Sequence, residues 1–221
     1  MNCDEKFRQQ ILRYLAGFDI LTAENDDPEL RHAAVAVVIC DLAYGANVDG
    51  LPKHEEYQRS AALLLTKRSS KLRRHAGQWA LPGGRLDEGE TAAQTALREM
   101  HEEVGLELNE SHIIGQLDDF VTRSGFVMTP ILFWVGELPT LALNEDEVES
   151  VHRIPISEFL REDAPMLSES DHSDAPVLRM PIGNTWIAAP TAAILLQFRE
   201  VCMLGKNTRV AHYDQPTFAW K

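Results

Sequence analysis

One stretch of this 221-residue chain leaves less conformational freedom than any other. Gly83 and Gly84 precede Glu90, and a helix-forming run over residues 91–104 follows, stopped by Gly105. Thr91 with Gln94 three positions on is a capping-box pattern that fixes where the helix starts. Inside it Glu99, Glu102 and Glu103 stand at i, i+3 and i+4, so all three carboxylates are expected on one face. Ala93, Leu97, Met100 and Val104 take the other side and are expected to pack on a sheet. Like charges at this spacing repel, and a hard cation with oxygen ligands would relieve the repulsion. Taken alone, the glutamates also fit an ordinary solvated face. Their surroundings favour a metal-ligating one: the glycines allow close backbone approach, and Glu90 and Arg98 add an acid and a guanidinium beside the helix.

The rest of the chain supplies a frame for that helix. Residues 5–16 read as an amphipathic helix carrying Phe7, Ile11, Leu12 and Leu15. A polar break at 24–28 leads to a β-branched apolar run at 33–42, expected as a buried strand. Residues 43–58 hold Gly45, Gly50 and Pro52 and read as a loop, followed by a strand at 60–66 and a short strand running into Pro82. Further strands are expected near 112–120 and 126–136, the latter central. Residues 154–160 read as a turn-helix, 165–176 as a mobile loop rich in Ser and Asp, 177–188 as a hairpin, and 191–204 as an apolar-faced helix. This order predicts an α/β sandwich with a mixed central sheet and helices on both faces. It divides into an N-terminal helical extension (1–30), one main domain (31–204) and a C-terminal tail (205–221).

The formal net charge of −13 argues against nucleic-acid and membrane partners, which need a basic field. It does not exclude an anionic substrate held through bound cations. Cys3, Cys40 and Cys202 are far apart without metal-ligand spacing, which fits a reducing cytoplasm. Residues 1–8 are charged and lack a signal core, and no apolar stretch approaches the roughly 20 residues of a bilayer span.

From Gly84, five residues lead to Glu90, and seven more to Arg98-Glu99-Met100-His101-Glu102-Glu103-Val104-Gly105-Leu106. This resembles the Nudix box at every defined position. The resemblance implies the Nudix α/β/α sandwich, a catalytic loop-helix-loop, and hydrolysis of a nucleoside diphosphate linked to another moiety. It implies Mg²⁺ or Mn²⁺ held by Glu99, Glu102 and Glu103, with the Gly84 carbonyl as a further ligand and Arg98 and Glu90 orienting the carboxylates. Glu102 is the first candidate for general base. Glu147, in the acidic stretch 145–149, is the alternative.

Upstream, Leu64-Leu65-Thr66-Lys67-Arg68-Ser69, Leu72-Arg73-Arg74-His75-Ala76-Gly77-Gln78 and Pro82-Gly83-Gly84 resemble the signature of coenzyme A diphosphatases. That group cleaves coenzyme A or its thioesters to 3′,5′-ADP and a 4′-phosphopantetheine fragment. Arg68, Arg73 and His75 are then expected to contact phosphate, with Gly83 and Gly84 beside the substrate, whereas Lys71 and Arg74 take no assigned role. Trp79-Ala80-Leu81 departs from the Val-Ser-Phe of that group and matches other Nudix hydrolases. The alternative substrates are therefore ADP-ribose, nucleotide sugars or other nucleoside diphosphate derivatives. A sensor without turnover is disfavoured by the full set of box carboxylates, and RNA decapping by the acidic charge. Trp134 and Trp186 are expected as core residues, and His101 and His172 are given no role. A homodimer is left open.

Overall fold

The computed structural model describes residues 1–23 and 29–219; the polar break expected at 24–28 lies outside them. Strand β1, Arg31–Gly45, is buried at every position from 33 to 43. Its small and β-branched side chains can be covered on both faces, which makes it central. It runs parallel to β7 (Phe126–Gly136) and antiparallel to β2 (Lys53–Arg68). The sheet order is β3-β2-β1-β7-β5, with β3 at Trp79–Ala80 and β5 at Ile113–Gln116. Three short additions branch from it: β4 (Gly83–Arg85) on β1, β6 (Phe120–Val121) on β7, and β8 (Val148–Pro155) on β2. One parallel pairing among antiparallel ones makes the sheet mixed, as expected.

Helix α2, Ala92–Val104, covers one face. The Thr91–Gln94 capping box is formed in both directions, and Gly105 ends the helix at φ 67. Ala96, Met100 and Val104 pack with Ala34, Ala36, Val38, Leu64 and Phe133. The packing stripe is thus rotated from the expected one, because Ala93 and Leu97 are only half-buried. That rotation carries Glu103 into the interface and leaves Glu102 outside it.

The opposite face holds α1 (Glu5–Leu15), α3 (Thr191–Phe198, every residue buried) and a small sheet. That sheet is ordered β11-β10-β9, from Thr185–Ala188, Val177–Ile182 and Met166–Ser168. The expected loop at 165–176 is therefore partly a sheet edge, since β9 pairs with β10. The expected loop at 43–58 shrinks to 46–52, because β1 and β2 continue as a polar ribbon held by Ala43 opposite Gln58 and Gly45 opposite Lys53. Backbone pairing builds that ribbon, and no hydrophobic alternation announces it.

The chain ends are tied into the same core. Phe7 and Ile11 of α1 are buried there, Phe7 meeting Trp134 edge-on at 6.0 Å, which gives Trp134 the expected packing role. The buried Asp118 carboxylate accepts from Leu21 N–H at 2.8 Å, Gln197 Nε2 at 2.7 Å and Arg209 Nη1 at 2.7 Å, joining the N-terminal segment, α3 and the tail. No helix among the described residues is long and apolar enough to cross a membrane.

Candidate active site

The site begins where β1 meets β4. Val35, Ala34 and Ala33 pair with Gly83, Gly84 and Arg85. A Cβ at Gly83 would run into the Ala34 carbonyl, and one at Gly84 would overlap the Glu99 carboxylate. Glycine is required at Gly83 because β1 lies directly against it, and at Gly84 because the Glu99 carboxylate does.

Glu103 is 4% exposed, and its Oε2 accepts the Gly83 N–H at 3.2 Å. Burial, then repulsion from Glu99, pushes its carboxyl up to about 8. Burial also raises Glu99, against the opposing effect of Arg98. Glu147, on the loop before β8, completes the group: Glu99, Glu103 and Glu147 each offer an oxygen within 4.8 Å of the others. Hydrogen bonds from Ser69 N–H to the Glu147 carbonyl (2.8 Å) and from Ser69 Oγ to the Glu145 carbonyl (2.9 Å) hold that loop against the end of β2. Three convergent carboxylates, one of them buried and repelled by its neighbour, are a donor set that a hard divalent cation fits.

Behind them Arg98 acts as a clamp. Its Nε and Nη2 bind Glu90 at 2.8 and 3.0 Å, and its Nη1 reaches Glu99 at 2.8 Å and Glu102 at 3.0 Å. The guanidinium, with Thr95 and the Asp87 N–H, lowers the Glu90 carboxyl to about 2. Glu102 is the member of the expected ligand set that the structure sets apart: its side chain is 53% exposed and lies outside the convergent group. An i, i+3, i+4 spacing permits a shared face. Here the rotation of the packed stripe splits that face between Glu103 inside and Glu102 at the rim.

A cavity of about 730 Å³ opens over the carboxylates. Gly83, Gly84, Glu99, Glu103, Glu147, Arg68 and His75 line it together, which unites most of the expected site. Arg68 Nε is buried without a partner among the described residues, and burial together with Arg68 lowers the His75 pKa. Arg73 is exposed and does not line the cavity, contrary to expectation, because the 69–76 turn projects it outward. Lys71 pairs with Asp146 at 2.8 Å. Trp186, expected in the core, instead lines the cavity at 39% exposure. Trp79, Phe126, Gln215 and Phe218 also line it and escaped the sequence reading. In the sequence Trp79 stands out only as a departure from the coenzyme A diphosphatase signature, and the tail carries no periodic signal.

Comparison with known proteins gives consistent results. A family model described as NUDIX domain matches residues 44–175. The chain is 43% identical over 104 residues to Nudix hydrolase 3 of Caenorhabditis elegans, covering 45% of this chain and 43% of that protein. It is 46% identical over 100 residues to an uncharacterized Nudix hydrolase, NudL, of Yersinia enterocolitica (45% and 51% covered). It is 38% identical over 112 residues to the peroxisomal coenzyme A diphosphatase ndx-8 of C. elegans (49% and 48% covered). These matches thus span about half the length of each relative. A MutT/nudix family protein from Enterococcus faecalis superposes with a TM-score of 0.52 at 20% identity, over 87% of this chain and 68% of that one, which shows a shared fold.

Proposed function

The chain belongs to the Nudix family, and from that premise we propose that it hydrolyses the diphosphate bond of coenzyme A or its thioesters, giving 3′,5′-ADP and a 4′-phosphopantetheine fragment. The observation that carries the reading is that one cavity joins the convergent carboxylates to Arg68 and His75. A diphosphate needs the first group for cleavage, and a substrate with an additional 3′-phosphate needs a separate cationic wall.

Glu99, Glu103 and Glu147 would hold Mg²⁺ or Mn²⁺. Bound there, the ion supplies Lewis-acid neutralisation of the diphosphate oxygens and favours deprotonation of water. The chain's own residues do the rest. Arg98, anchored on Glu90, fixes Glu99 and keeps its oxygens aimed at the Gly84 backbone. Glu147 lines the cavity and Glu102 does not, so the water's proton is assigned to Glu147 as the water oxygen bonds to phosphorus. The bridging P–O bond breaks and the second phosphate leaves with the electron pair of that bond. Glu102 then serves as a second acceptor for Arg98.

A second reading, hydrolysis of ADP-ribose or a nucleotide sugar, draws on Trp79, which departs from the coenzyme A signature and faces the cavity. Product identification separates the two. The protein is incubated with Mg²⁺ or Mn²⁺ and coenzyme A, 3′-dephospho-coenzyme A, ADP-ribose or NADH, and the products are resolved by chromatography. Preferential release of 3′,5′-ADP, abolished by chelator and by Glu103→Gln, is expected. AMP from ADP-ribose with coenzyme A left intact would overturn the substrate.

A further inference from the structure

Residues 213–219 lie beyond the stretch matched by the family model, yet three of them, Gln215, Phe218 and Ala219, line the cavity. Asp214 pins them. Its buried carboxylate accepts from Ser170 Oγ at 2.5 Å and Ser173 Oγ at 2.6 Å, and it pairs with Arg123. Past this pin, Gln215, Phe218 and Ala219 all line the cavity. The Phe218 carbonyl accepts from Gln78 Nε2 at 3.3 Å, so the segment crosses to the loop that carries His75. The Phe218 ring lies 6.0 Å from Trp186, and both residues are partly exposed in the cavity wall.

Gln215 is the residue that packing leaves unexplained. It is 3% exposed, and its Oε1 is buried without a hydrogen-bond partner among the described residues. A buried carboxamide oxygen without a donor is a standing cost to the fold. A ligand N–H entering the cavity would remove it.

We propose that Gln215 is a specificity-determining residue whose carboxamide pairs with an N–H group of the substrate, while Trp186 and Phe218 cover the apolar surface beside that group. This rests on the cavity being the diphosphate site and concerns the part of the substrate that extends from the diphosphate. Two sources carry the required chemistry: the exocyclic amine of a purine, or the amide groups of a pantetheine-like arm.

The test compares Gln215→Met and Phe218→Ala with the wild type by steady-state kinetics on coenzyme A and on ADP-ribose, with thermal unfolding in parallel. Losing one hydrogen bond is expected to raise KM about three- to tenfold for Gln215→Met, with kcat within about twofold. Because the substitution removes an unpaired polar atom, Tm is expected to hold or rise, which a merely structural role would not give. Phe218→Ala is expected to raise KM in the same direction. A rise on coenzyme A alone assigns Gln215 to the amide arm, and a rise on both substrates assigns it to the purine amine. An unchanged KM on every substrate that the wild type turns over would overturn the proposal, as would a loss of kcat and Tm at constant KM. If the wild type cleaves ADP-ribose and not coenzyme A, the coenzyme A reading fails and Gln215 is judged on ADP-ribose.

Discussion

Replacing Glu103 by Gln should stabilise the metal-free protein, and only at neutral to alkaline pH. The carboxyl titrates at about 8 in the fold against an ordinary value of 4.5, because of burial first and Glu99 second. Between those two pH values the folded chain keeps a proton that the unfolded chain has released, so stability falls as pH rises. Each pH unit in that window removes about 1.4 kcal/mol, and the full window removes on the order of 5 kcal/mol. Below the window the group costs nothing, and above it the loss is complete. The amide is neutral, nearly the same shape, and still accepts the Gly83 N–H now bound at 3.2 Å. Urea unfolding of both proteins in chelator at pH 5, 7 and 9 isolates this group together with its coupling to Glu99, since the more distant titrations are common to the pair. The curves should nearly coincide at pH 5 and separate progressively, with the variant more stable at pH 9. Saturating Mn²⁺ should then narrow that gap, since an ion at 100 times its Kd adds about 2.7 kcal/mol to a chain that binds it. A difference that does not vary with pH would refute the reasoning, because Glu103 would then be ionised in the fold without a cation.

Four further outcomes follow from the same geometry. Gly84→Ala places a methyl group on the Glu99 carboxylate and should lower kcat about 10–100-fold while leaving the fold intact by circular dichroism; wild-type turnover would show that this contact is not needed. Arg98→Lys cannot grip Glu90 through two nitrogens while also reaching Glu99 and Glu102, so kcat should fall about tenfold or more at saturating Mn²⁺ with KM little changed. Arg68→Gln should raise KM about tenfold for coenzyme A and far less for 3′-dephospho-coenzyme A; equal effects on both would separate Arg68 from the 3′-phosphate. Asp118→Ala strands Arg209, Gln197 and the Leu21 N–H and should cost about 2–3 kcal/mol in urea unfolding without affecting KM; a loss under 1 kcal/mol, about the value of a neutral hydrogen bond, would contradict it.

The most legible parts of this protein were those whose causes are local. The start and stop of α2 are written in Thr91, Gln94 and Gly105, because caps act within a few residues. The central position of β1 is written in its unbroken apolar run. Glu99, Glu103, Gly83 and Gly84 were legible because the spacing of the box fixes them relative to one another. Less legible was anything that depends on the rotation of an element against its neighbour. The expected face of Glu99, Glu102 and Glu103 became one buried carboxylate, one lining carboxylate and one at the rim once Ala96, Met100 and Val104 took the packing stripe.

By itself, then, the sequence determined the α/β class, the bounds of the capped helix and the spacing of its carboxylates. Periodicity, capping and fixed motif spacing are properties of neighbouring residues. Only the tertiary structure decided that Glu147 rather than Glu102 joins Glu99 and Glu103, that Arg73 faces outward, and that Gln215 and Phe218 wall the cavity. Those facts are set by contacts between segments far apart in the chain, such as Gln78 with Phe218, 140 residues on, and Ser170 with Asp214, 44 residues on. No local pattern encodes such a meeting, because it depends on where the whole sheet and its covering helices bring the two segments.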